Sequence, residues 1–75
     1  MRLELYLNLA AAYLKVKSFE NALHACNYAV DIDAKNIKAL YRRSRSRTLN
    51  VRSDISDLKL AIKDLKLAKE YSQGS

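Results

Sequence analysis

Tyr6-Leu7-Asn8-Leu9-Ala10-Ala11-Ala12-Tyr13 and Leu40-Tyr41-Arg42-Arg43-Ser44-Arg45-Ser46-Arg47 stand thirty-four residues apart, and together they decide the fold. In the first stretch Tyr6, Leu9, Ala10 and Tyr13 recur at i, i+3, i+4 and i+7, which is one face of a helix. Leu40, Arg43, Ser44 and Arg47 repeat that phase in the second. A period of this length marks a helix–turn–helix solenoid, whose units bury each other's apolar faces. Such a stack presents one face of its first helices as a groove. Asn8, Lys38 and Arg42 fall on that face.

The residues around these stretches divide the chain into four helices, an all-α fold of antiparallel hairpins. The first is expected over residues 2–16, with Lys17-Ser18 as the joint and Ser18 as N-cap of the next. The second spans 19–33, with Phe19, Ala22, Leu23, Cys26, Ala29 and Val30 as its apolar stripe. Asn36 caps a third helix over 37–49, and Asn50-Val51-Arg52-Ser53-Asp54 forms a loop. The fourth, over 55–71, is expected to bury Ile55, Leu58, Ala61 or Ile62, Leu65 and Ala68. Residues 72–75 are expected to be a disordered tail.

Composition agrees with this division. The 75 residues are 49% hydrophobic and 29% charged, with no Pro and with Gly74 as the only Gly, which suits a folded helical chain. At this size a domain buries roughly 60% of the surface its unfolded chain exposes, so marginal stability is expected. The lone Cys26 cannot close an internal disulfide, which suits a reducing, cytoplasmic setting. No apolar run reaches the roughly 18 residues of a membrane-spanning helix.

Charge is concentrated in one place. Residues 1–34 hold three basic and four acidic side chains, and residues 53–75 hold four of each. Residues 35–52 hold seven basic side chains and no acid, so this segment carries +7 while the rest of the chain sums to −1, giving the net +6. A localised excess of this kind points to an anionic partner.

The pattern resembles the tetratricopeptide repeat family. Tyr6, Leu9, Ala10, Tyr13, Phe19, Ala22, Cys26 and Ala29 fit its repeat over residues 3–36. Ala34 stands where a Pro is usual, and Ala10 and Ser44 where a Gly is usual; both changes preserve small size. A second repeat over 37–71 fits with an insertion near 50–54, although Arg47 occupies a position usually given to a packed residue. Within the family, one subclass of co-chaperones, including the large immunophilins, grips the free carboxyl end of a heat-shock chaperone through a carboxylate clamp. Its Asn, Lys and Arg positions match Asn8, Lys38 and Arg42 here, and the text around them is similar.

The resemblance implies a protein-interaction module that binds an acidic tail of the Glu-Glu-Val-Asp type, with Leu7, Ala11 and Tyr41 lining the groove and Arg45 beside them. It further implies a preceding repeat supplying another Lys and Asn, and any prolyl isomerase domain would lie upstream. The chemistry stands without the family: Lys38 and Arg42 are four apart on one helix, and charge-assisted bonds to carboxylates contribute about 1.5–3 kcal/mol each.

Arg43 and Arg47 are expected to pack their stems between helices and leave their heads in water. Cys26 is expected in the core, and Tyr28 half exposed. His24 has no metal-ligating neighbours in the sequence, and no nucleophile–base set, phosphate loop or cofactor motif is present, so neither enzyme activity nor a cofactor is expected. Two alternatives to the clamp remain open. The arginine-rich third helix could bind RNA, although helical placement scatters its charges and the aromatic residues sit at packing slots. The chain could also serve only to dock neighbouring repeats, or self-associate through uncovered ends.

Overall fold

A computed structural model of the 75-residue chain describes residues 2–73. Four helices follow in order: α1 Arg2–Lys15, α2 Phe19–Ile32, α3 Ile37–Leu49 and α4 Ile55–Gln73. No strand occurs among the described residues. Ser72 and Gln73 continue α4 where a tail was expected, and residues 74 and 75 lie outside the described residues.

Local chemistry explains each joint. After α1, Lys17 adopts φ 63°, its N–H donates to the Leu14 carbonyl at 3.1 Å and the Ser18 N–H donates to Tyr13 at 2.8 Å. This is a left-handed helix stop that glycine fills without steric cost. Lys17→Gly is therefore expected to stabilise the fold by about 0.5–1 kcal/mol, read as a raised urea midpoint. A lowered midpoint would refute the assignment. Ser18 does precede α2, but its hydroxyl makes no cap bond and instead accepts from the Asn21 amide at 2.9 Å. Asn36 caps α3 as expected, its Oδ1 accepting from Ala39 N–H at 2.9 Å. At α4 the Asp57 N–H donates to Asp54 Oδ1 at 3.0 Å, and the Asp54 N–H to Asp57 Oδ2 at 3.2 Å. That reciprocal pair is a capping box built from two aspartates.

Each helix packs antiparallel on the next in sequence, and α1 also touches α3. Among the described residues α2 and α4 do not meet. The stack therefore curves with α1 and α3 on its inner side, consistent with two repeats of the tetratricopeptide type. The core consists chiefly of small side chains. Ala10, Ala22, Cys26, Ala29, Ala39 and Ala61 are fully covered, and Leu40 is the largest fully buried side chain. Alanines let helix axes approach closely, and larger residues fill the margins. Tyr6 and Tyr28 do so by stacking, with ring centroids 5.0 Å apart, while Tyr28 stays half exposed as expected.

The fourth helix departs from expectation. Ala61 and Ala68 are buried, but the residue between them on the inner face is Asp64, only 2% exposed. Ile55, Leu58 and Leu65, expected in the core, are exposed, and of the alternatives Ala61 and Ile62 it is Ala61 that is buried and Ile62 that is exposed. Arg43 and Arg47 explain the difference, because their heads leave the water to meet Asp64. Arg43 donates from Nε to Oδ2 and from Nη2 to Oδ1, both at 2.8 Å, and Arg47 Nη1 reaches Oδ2 at 3.0 Å. Only small neighbours leave room for two guanidiniums at this point. Arg43 Nη1 also donates to Asn27 Oδ1 at 3.2 Å, so one arginine links α2, α3 and α4. The bonds from Asp64 hold the Arg43 guanidinium more firmly protonated than usual, against the opposing effect of burial. Arg47 Nε stays buried without a hydrogen-bond partner among the described residues.

Candidate functional site

The residues expected to face a groove lie on α1 and α3, the two inner helices. Asn8 and Lys38 are exposed, Ala11 and Arg42 half-buried, and Tyr41 and Arg45 exposed. Leu7 differs from its expected role. Its side chain is buried against Ala29 and Ala39 in the core, so it is closed off from a groove ligand. Its backbone remains at the site, because Arg42 Nη1 donates to the Leu7 carbonyl at 2.8 Å. This bond reaches across thirty-five residues and pins Arg42 against α1 at the position before Asn8. Lys38 stands one helical turn before Arg42 on the same face.

Arg45 and Tyr41 form the far end of this face. The Arg45 guanidinium lies 5.9 Å from the Tyr41 ring centroid, and its Nη1 meets the Tyr41 hydroxyl at 3.4 Å. Lys38, Tyr41, Arg42 and Arg45 thus share an arc of about 100° on α3, which carries three positive charges and one aromatic ring. Arg43 and Arg47 point to the opposite side and are neutralised in part by Asp64. The arginine-rich string is divided in two: half of it braces the fold, and half faces out.

The rest of the surface offers little chemistry. Burial pushes the Cys26 thiol up to about 11, with a weaker opposing bond from Ser46, so this core cysteine is a poor nucleophile. A cleft of about 360 Å³ opens between residues 17–21 and 50–52, bridged by an exposed Arg52–Glu20 pair at 3.9 Å. A smaller one of about 170 Å³ is lined by Tyr6, Leu9, Tyr13, His24 and Tyr28. Neither includes Asn8, Lys38 or Arg42. Among the described residues no group of three His, Cys, Asp or Glu is placed to hold a metal ion. Nor is any described helix long and apolar enough to cross a membrane.

Sequence reasoning missed Asp64. The available signal was two arginines four apart at packing positions of α3, which need an acid opposite them. It also missed the Leu7 carbonyl, for which no residue identity could serve as a signal.

No family model matches the chain, and no solved structure matches it. Three relatives do. The chain is 35% identical over 69 residues to the peptidyl-prolyl cis-trans isomerase FKBP4 of Homo sapiens, covering 92% of this chain and 12% of the relative. It is 30% identical over 67 residues to the peptidyl-prolyl cis-trans isomerase FKBP42 of Arabidopsis thaliana, covering 89% and 17%. It is 35% identical over 69 residues to the DnaJ protein P58IPK homolog of Arabidopsis thaliana, covering 92% and 13%. The chain thus spans between about an eighth and a sixth of the curated relatives it matches. The part of the isomerases it resembles is their repeat region and not their isomerase domain. With the four-helix architecture, these similarities support a tetratricopeptide-type region with a role in protein–protein interaction.

Proposed function

We propose that the chain is the interaction module of a co-chaperone and binds the acidic carboxyl-terminal tail of a heat-shock chaperone through a partial carboxylate clamp, in a cytoplasmic setting. The observation that carries this reading is the 2.8 Å bond from Arg42 to the Leu7 carbonyl. It holds one guanidinium against α1 at the residue before Asn8, and exposed Lys38 stands a turn away on α3, which supports reading the three as donors to one ligand. Asn8 donates to the terminal carboxylate of a Glu-Glu-Val-Asp tail. Lys38 and the remaining donors of Arg42 take the Asp side chain, while Ala11 and Tyr41 border the apolar residue. Arg45 lies further along the peptide path. The concentration of positive charge on this segment steers an acidic peptide toward it.

A titration of the free-acid peptide against its carboxyl-terminal amide, followed by amide NMR shifts, tests the reading. The free acid is expected to bind near millimolar, about −4 kcal/mol. Amidation and Arg42→Ala should each remove about 2 kcal/mol, which takes binding below detection. Lys38→Ala serves as a second variant, because it leaves the Arg42–Leu7 bond in place. Equal binding of acid and amide would reject the clamp, and tight RNA binding by the parent chain and by Arg42→Ala alike would put the basic-scaffold alternative in its place.

A further inference from the structure

The arginine-rich end of α3 carries an exposed hydroxyl beside the cationic arc. Thr48 lies in the last turn of α3 and donates to the Arg45 carbonyl at 3.3 Å. It stands one turn beyond Arg45 and about 60° around the helix from it, at the edge marked by Tyr41. Arg45 precedes it by three residues and is itself exposed, 5.9 Å from the Tyr41 ring centroid and 3.4 Å from its hydroxyl. Leu49 follows it directly and is 44% exposed. No acid occurs in residues 35–52. An arginine three residues before a hydroxyl, with an apolar residue directly after it, is a pattern selected by Ser/Thr kinases that carry carboxylates in the substrate groove. Charge pairing sets the register there, and like charges are rejected.

The fold narrows the choice of hydroxyl. Ser46 also follows an arginine by three, but Ser44 and Ser46 are each 1% exposed, and Ser46 Oγ donates to the Arg42 carbonyl at 2.8 Å. Among the described residues Thr48 is the exposed Ser or Thr hydroxyl that follows an arginine by three. A kinase takes its substrate extended, and helix ends open at low free energy. Opening residues 45–49 leaves both Arg43–Asp64 bonds in place. We propose that Thr48 is the phosphoacceptor of an arginine-directed Ser/Thr kinase, and that its phosphate pairs with Arg45 and cancels positive charge at that end of the α1–α3 face. The γ-phosphoryl group of Mg-ATP passes to Thr48. The Oγ1–P bond forms, and the bond from γ-phosphorus to the β–γ bridging oxygen breaks. The hydroxyl proton goes to the kinase's carboxylate base, and ADP leaves. The product carries about −1.5 to −2 at neutral pH against the three cations of the arc, so the face keeps about +1. The assignment does not depend on which anionic partner this face takes.

The test treats the whole chain with Mg-ATP and a purified Ser/Thr kinase that selects an arginine three residues before the hydroxyl, and maps phosphate by mass spectrometry. A single phosphate is expected, on Thr48. Arg45→Ala, with helical circular dichroism unchanged, should take it up at least ten-fold more slowly, and Thr48→Ala should take up none. Long incubation loads both the parent and Arg45→Ala, and phosphorus NMR then reads the pairing. The phosphate should titrate about 0.5 pH unit lower in the parent than in Arg45→Ala, because the guanidinium favours its dianion. A folded chain that stays unmodified, phosphate on Ser44 or Ser46, or equal rates for the parent and Arg45→Ala would each overturn the phosphoacceptor assignment. Equal titration midpoints would overturn the pairing with Arg45.

Discussion

Asp64→Ala is expected to cost about 3–5 kcal/mol of stability, because it leaves two guanidiniums buried without their counter-charge. A chain of 75 residues has about 4–11 kcal/mol in total, so this one change removes much of it. Asp64 is 2% exposed and takes three hydrogen bonds from Arg43 and Arg47. Alanine would supply no acceptor, and Arg47 Nε already lacks a partner among the described residues. Urea unfolding followed by circular dichroism measures the loss, with an unchanged slope showing that stability alone has moved. Replacing all three residues together, as Arg43→Met, Asp64→Leu and Arg47→Met, should cost far less and can be neutral or stabilising, because no charge is then stranded. A loss under about 1 kcal/mol for Asp64→Ala would mean that the arginines find water, and that the triad is not sealed.

Leu40→Ala is expected to cost about 2–5 kcal/mol, toward the upper end of that range. Leu40 is 1% exposed and is the largest side chain fully enclosed in the described structure. The other fully enclosed side chains are alanines, serines and Cys26, which are too short to move into the space a lost leucine leaves. The cavity therefore persists, and its cost adds to that of the lost transfer energy. Leu40→Met, which nearly conserves volume, should stay within about 1.5 kcal/mol. The same urea midpoints decide it. Similar losses for Met and Ala would show that side-chain shape, not the void, sets the cost.

The helices, their joints and the inner face of α2 were legible because each depends on local rules. Tyr6, Leu9, Ala10 and Tyr13 announce a helical face, and Asn36 announces a cap, with no knowledge of the tertiary partner. The orientation of α4 was not legible in this way. Ile55, Leu58, Ile62 and Leu65 form one stripe, and Ala61, Asp64 and Ala68 another about a third of a turn away. Hydrophobicity favours the first stripe, yet the second is buried, because Arg43 and Arg47 require Asp64 between them. That choice belongs to pairs of helices and not to α4 alone. Register put Asn8 on the first helix and Lys38 and Arg42 four apart on the third, which is where α1 and α3 carry them. Leu7 departed from its expected role: its side chain turned into the core, and its carbonyl became the contact.

The separation of α2 from α4 has a mechanical consequence. The hairpin α1–α2 and the hairpin α3–α4 meet chiefly where α2 packs on α3, with α1 touching α3 beside it, and Leu7, Ala29 and Ala39 pack at this junction. On the outer side Arg43 spans the distance between Asn27 and Asp64. That one side chain is therefore what fastens α4 to α2, while the α1–α3 face rests on the packed junction of α1, α2 and α3.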